Sequence, residues 1–153
     1  MITQEKNKTN TELAVELAYL MQELRNFTRK YIQKKIKDHG INLTYEMLEV
    51  MGILWRKDGL NQQEIADRTL RDKSSMTYLL DNLIKRKMVK RLADKNDRRN
   101  KLIFLTKEGL TLKEILHPWV AEVYGLASEE IACEDLQNGV SLISRMVSNL
   151  KKE

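Results

Sequence analysis

Apolar residues return at steps of four and three at both ends of the chain, as Leu13, Leu17, Leu20, Leu24, Phe27 and Tyr31 near the start and Leu136, Val140, Ile143, Val147 and Leu150 near the finish. That period draws a single seam along one side of an α-helix. The first helix is expected to begin at Thr11, as N-cap with Glu12 behind it, and to run to about Asp38, where His39-Gly40 supplies a stop. The last is expected to open at Ser128, since Glu129 and Glu130 suit the positive end of a helix dipole. Between them Leu112, Leu116, Trp119, Val123 and Leu126 mark a further helix that Pro118 bends and Gly125 weakens. A chain of 153 residues fits one compact domain, or two small lobes sharing helices. It offers little on which to bury two extra terminal seams, so they predict a second copy as their cover.

The middle reads differently. Thr44 to Arg56 forms a short helix broken by Asp58-Gly59. Asn61 is an N-cap with Glu64 three residues on, the spacing of a capping box, and opens a helix of about two turns. Asp72 is a second N-cap, opening "DKSSMTYLLDNLIKRK". Along that helix Met76, Leu79, Leu80, Leu83 and Ile84 share one face, while Ser74, Tyr78, Asp81, Asn82 and Lys85 share the other. Two strand-like runs follow, residues 89–93 and 101–106, flanking a charged segment. They predict a hairpin held to the lobe by Val89, Leu92, Leu102 and Phe104, with its tip at Lys95, Asn96, Asp97, Arg98 and Arg99 held out as a stiff finger.

Helix, tight turn, second helix with a polar outer face, then a hairpin with a basic tip is the order of a winged helix-turn-helix. The fold class is therefore mainly α with a small β-hairpin wing (α+β). A DNA-binding domain is expected over residues 41–110, with helical dimerisation regions expected at 1–40 and 111–153.

Charge agrees with that reading. Residues 56–101 hold 14 Lys or Arg against 7 Asp or Glu, while the rest holds 13 against 15, so the chain's net +5 comes from its middle. A localised basic patch is the footprint of a polyanion. The hydroxyl-rich start of the second helix, at Lys73, Ser74, Ser75 and Thr77 with Tyr78, Asn82 and Lys85 beyond, suits entry into a major groove. Lys73, Lys85, Arg86, Lys90 and Arg91 are candidates for phosphate, and the wing arginines for the adjacent minor groove. Asp97 is expected to act inside the tip, pairing with Arg99 or capping the turn.

Other classes find little. His39 and His117 lack ligand spacing, no Gly-rich phosphate loop or nucleophile elbow is present, and nothing asks for catalysis, a cofactor or a metal. Cys133, the single cysteine, is expected to be a buried structural residue, with a thiol-based redox sensor as the alternative. No apolar run approaches a membrane span, and the N-terminus lacks a signal peptide's apolar core, so a soluble cytoplasmic protein is expected. A winged-helix module for RNA or protein contacts is the remaining alternative to operator binding.

The stretch "LNQQEIADRTLRDKSSMTYLLDNLIKRKMVKRLADKNDRRNKLIFLTKEG" resembles the core of the MarR family of bacterial transcriptional regulators, over about residues 44–110. Its "DRRNKLIFLT" end is similar to that family's Asp-x-Arg wing motif and Leu-Thr step into the next helix. The resemblance implies a homodimer built from the first helix and the last two. It also implies an inverted-repeat operator on double-stranded DNA, commonly repression, and often release by a small phenolic or other anionic effector. By position Asp97 and Arg99 match the wing motif, and Ser74, Ser75 and Thr77 the start of the recognition helix. Tyr78 and Asn82 stand where the family often has Arg, and Met88 where it usually has Gly. A family-type effector pocket, between the dimer helices and the DNA-binding lobe, would be lined by Tyr31, Met51, Trp55 and Trp119.

Overall fold

The computed structural model describes residues 8–152. Two compact units are present, one ending at Val120 and one beginning at Ala121. The first holds α1 (Asn10–Asp38), α2 (Tyr45–Arg56), β1 (Leu60–Asn61), α3 (Gln62–Thr69), α4 (Lys73–Lys85), β2 (Val89–Ala93) and β3 (Lys101–Leu105). Helix α5 (Lys107–Ala127) begins in the first unit and ends in the second, which also holds α6 (Cys133–Leu150). The expected class is the one observed, mainly helical with a small antiparallel sheet.

Caps set most helix boundaries. Thr9, not Thr11, opens α1: its hydroxyl accepts the Glu12 N–H at 3.2 Å while the Glu12 carboxylate accepts the Thr9 N–H at 2.8 Å. The reciprocal box needs a spacing of three, which Thr9 has to Glu12 and Thr11 lacks. Asn61 and Glu64 make the same box at α3, and Thr44 and Asp72 cap α2 and α4. Gly40 and Gly59 carry positive φ of 64° and 70° at the two breaks. At Gly59 a Cβ would also lie 2.9 Å from the Phe104 ring.

The core of the first unit lies under the winged helix. Met51 and Val50 of α2, Ile65 of α3, Met76, Leu80 and Leu83 of α4 and Ile103 of β3 are all fully buried. Truncating a leucine in such a setting to alanine costs roughly 2–5 kcal/mol. Helix α1 joins this core only through its C-terminal half, where Thr28, Ile32 and Ile36 are buried.

The sheet has three strands, ordered β1-β3-β2 and antiparallel throughout. The two-residue β1 pairs Leu60 with Ile103 and extends the hairpin that the sequence predicts. Register corrects which side chains hold the hairpin down. Val89 faces Leu105, so Val89, Ile103 and Leu105 form the buried side. Leu92 pairs with Leu102 on the opposite side, where Leu92 is exposed and Leu102 and Phe104 are half-buried. Leu102 to Leu105 are all apolar, so alternation could not distinguish the faces.

In the second unit α6 starts five residues later than expected. The Ser128 hydroxyl turns back to the Gly125 carbonyl at 3.2 Å, and Glu130 takes a left-handed φ of 60°, which a helix start cannot use. The acids of its first turn are Glu134 and Asp135, and no residue of α6 is buried. Cys133 is exposed, correcting the expectation of a buried cysteine: it is the first residue of a helix with no buried position. No helix among the described residues is long and apolar enough to cross a membrane.

Candidate nucleic-acid interface

Helix α4 presents the outward face that its period predicts, but its polar side chains divide into two groups. One group is occupied within the protein. Asp72 accepts the Ser75 N–H at 2.8 Å and the Ser75 hydroxyl at 2.9 Å. The Ser75 backbone bond, followed by the hydroxyl, holds the Asp72 carboxyl below its ordinary value. Thr77 donates to the Lys73 carbonyl at 2.8 Å and accepts from Gln62 of α3 at 2.6 Å, which fastens the two helices of the motif together. The Asn82 amide donates to the Tyr78 carbonyl at 2.9 Å, and its oxygen accepts from Arg86 at 2.8 Å. Arg86 also donates to the Asn42 carbonyl at 2.8 Å, so Asn82 and Arg86 clasp the end of α4 to the segment before α2.

The other group faces solvent. Ser74, Lys73 and Lys85 are exposed, and Tyr78 stands out with 66% of its surface accessible. Asp81 on the same face is met by Arg91 of β2 at 3.3 Å. That pair screens the one carboxylate on the outward face from an approaching phosphate.

The wing tip turns its acids inward. Asp94 accepts the Asn96 N–H at 2.9 Å and Asp97 accepts the Arg99 N–H at 3.0 Å, two Asx turns in succession. Backbone bonds from Asp94 to Asn100 and from Asn100 to Asp97, both 2.9 Å, close the loop. Asp97 therefore caps the turn, the second of its two expected uses. Lys95, Arg98 and Arg99 are left exposed, as is Lys90 of β2.

Two features escaped the sequence reading. At Gly109 a Cβ would meet the Met88 carbonyl at 2.2 Å, and the Gly109 carbonyl accepts the Trp55 indole N–H at 2.9 Å. Thr106 caps the start of α5 there, accepting the Gly109 N–H at 3.1 Å and donating to Met88. The second feature is a pair of ion pairs from α1 to α2, Arg25 with Glu49 and Arg29 with Glu46, with Arg71 sharing Glu49. Its own backbone N–H first, and then Arg29, hold the Glu46 carboxyl below its ordinary value against the opposing effect of burial.

None of the four residues suggested for an effector pocket is among the five that line an open concavity on α5. Met51 is fully buried, Trp55 is half-buried and bonded to Gly109, and the buried Trp119 has its ring 4.5 Å from that of His39. Tyr31 is half-buried, with the Lys35 ammonium 5.4 Å from its ring. That concavity, of about 710 Å³, is lined by Leu110, Lys113, Glu114, His117 and Pro118. The His39 ring nitrogen Nδ1 lies 2.8 Å from the Lys35 carbonyl, a helix-end contact, and among the described residues no group of His, Cys, Asp and Glu is placed to hold a metal.

Known proteins share this arrangement. Residues 43–101, from the segment before α2 to the first residue of β3, match the model of the MarR family. That match takes in the helix-turn-helix and the start of the wing. It is 26% identical over 145 residues to the HTH-type transcriptional regulator MhqR of Bacillus subtilis strain 168, covering 91% of this chain and 99% of that one. Among solved structures, S. aureus MepR in its DNA-binding conformation superposes with a TM-score of 0.75 at 26% identity, over 88% of this chain and 98% of MepR. The structure of the S. aureus MepR-DNA complex gives 0.71 at 25% identity, over 86% and 96%. In this likeness α4 stands at the place of a recognition helix, and β2 and β3 at that of a wing.

Proposed function

We propose that this chain is a transcriptional regulator, acting most simply as a repressor, that binds an inverted-repeat operator in double-stranded DNA as a homodimer in the bacterial cytoplasm. The observation that carries the reading is the division of labour around α4 and the wing. Acids there are turned onto backbone N–H groups or paired, while Lys73, Lys85, Lys90, Lys95, Arg98 and Arg99 are exposed. Residues 41–110 would contact the duplex and residues 1–40 and 111–153 would join two copies. Base reading falls to Ser74 and Tyr78, since the side chains of Ser75, Thr77 and Asn82 already have partners. A small aromatic effector would find apolar surface at Leu110 and Pro118 with the Lys113 cation, the Glu114 carboxylate and the His117 ring in the same lining.

Selection from random duplexes should return an inverted repeat with half-sites about 34 Å apart, one helical turn. Affinity should fall by roughly 10³–10⁵ between 50 and 200 mM salt if some 6–10 phosphates are contacted per dimer. Arg98→Ala and Arg99→Ala should each weaken binding by on the order of 1–3 kcal/mol in a gel-shift titration. Asp97 holds the backbone N–H of Arg99 and not its guanidinium, so the alanine leaves the turn in place and reports the side chain alone. A flat salt response, or selection without symmetry, contradicts the proposal.

A further inference from the structure

Three elements of the first unit meet at one carboxylate. Glu49 of α2 accepts from Arg25 of α1 on one oxygen and from Arg71 on the other, the latter at 2.7 Å. Arg71 lies in the short turn between α3 and α4, next to the left-handed Leu70 and directly before the Asp72 cap of the recognition helix. We propose that Glu49 is a positioning residue for sequence-specific DNA binding: it fixes the turn that precedes α4 and keeps the Arg71 guanidinium away from phosphate. This role rests on the DNA-binding reading above.

The partners differ in kind. Arg25 is 64% exposed and the Arg71 side chain only 26%, while Glu49 itself is 18% exposed. An exposed arginine gains little from one carboxylate in water, whereas the sheltered Arg71–Glu49 pair is electrostatically stronger. The Arg71 Nε is buried with no hydrogen-bond partner among the described residues. Its guanidinium is therefore held on the Glu49 side alone, and removing that charge leaves a half-buried cation with no anion to face. The least costly response is for Arg71 to swing outward, which loosens the turn and adds an indiscriminate phosphate ligand beside the recognition helix. Arg29 and Glu46, one helical turn along the same α1–α2 seam, keep the two helices together when Glu49 is changed.

The expected signature is a loss of discrimination, with total binding largely kept. A duplex selected by the wild-type chain and a scrambled duplex of the same composition would be titrated with wild type, Glu49→Gln and Arg71→Gln, with thermal unfolding followed in parallel. Glu49→Gln should lose about tenfold in the ratio of the two affinities, as a coupling of this size implies, with binding to the scrambled duplex equal or tighter. Arg71→Gln should lose a similar ratio without the gain on scrambled DNA, because it releases no cation. Affinities that fall in proportion on both duplexes would reduce Glu49 to general stability and overturn the role. A wild-type preference that Glu49→Gln keeps intact would overturn the role alone. A wild-type chain that prefers no duplex would overturn the regulator reading and this role together.

Discussion

Met51, Leu80 and Ile103 of the winged helix expose none of their surface, while Leu20, Leu24 and Phe27 of α1 expose 56%, 47% and 63%, and Val140 of α6 exposes 68%. All of them are apolar residues on regular periods, yet the first set is satisfied within one chain and the second is not. The boundary passes through α1 itself, whose C-terminal half buries Thr28, Ile32 and Ile36 while its N-terminal half buries nothing. Amphipathic period thus says that a face will be covered, and only packing shows whether the same chain covers it. Four perturbations would break or sharpen that contrast.

The largest effect is expected at Gly109→Ala. Its Cβ would fall 2.2 Å from the Met88 carbonyl, and neither backbone can retreat without breaking the Thr106 and Trp55 bonds. A loss of about 3 kcal/mol or more in chemical denaturation is expected, the upper range for overpacking, and it should not depend on protein concentration. Val140→Glu addresses the other region. It places a charge on the exposed seam of α6 and should convert a dimer to a monomer by light scattering at micromolar concentration, lowering the thermal midpoint in a concentration-dependent way. If the wild-type chain is already monomeric, the contrast between the two regions loses its explanation.

Leu70→Gly is a smaller test with the opposite sign. Leu70 is 94% exposed in a left-handed conformation at the end of α3, so it contributes no burial and carries backbone strain. Glycine should stabilise the lobe by roughly 1 kcal/mol in urea denaturation, since a left-handed β-carbon costs about that much. The smallest effect concerns acid. Asp72 has a lowered folded-state pKa, so its contribution is complete at neutral pH, is present above the unfolded-state value, and fades as pH falls through the folded one. Asp72→Ala should therefore destabilise the lobe at neutral pH and flatten the decline of stability on acidification, seen by comparing unfolding midpoints at neutral and acidic pH.

Much of the fold was legible because local rules fixed it. Asn61, Glu64 and Asp72 sit at their caps, and the strands fall at 89–93 and 101–105 where β-rich composition placed them. What escaped was settled at longer range or by a competing local signal. Thr9 and Thr11 both look like caps until the spacing to Glu12 is counted. Ser128, Glu129 and Glu130 look like a helix start until the left-handed Glu130 is seen. The unbroken run Leu102–Leu105 hides which side of the hairpin faces in, and the partner strand decides it. At the candidate interface the chain shows which residue types share a face, but not that Thr77 and Asn82 already have partners. Glu49 and Arg71 are 22 residues apart, and no period links them.

The chain's two tryptophans stand at the junctions of α5 with the elements that carry the wing and end α1, Trp55 on the Gly109 carbonyl and Trp119 against the His39 ring. Indole emission responds to hydrogen bonding and to neighbouring rings. The unlabelled protein thus carries its own optical gauge, able to register any tilt of α5 that accompanies the grip or release of a duplex.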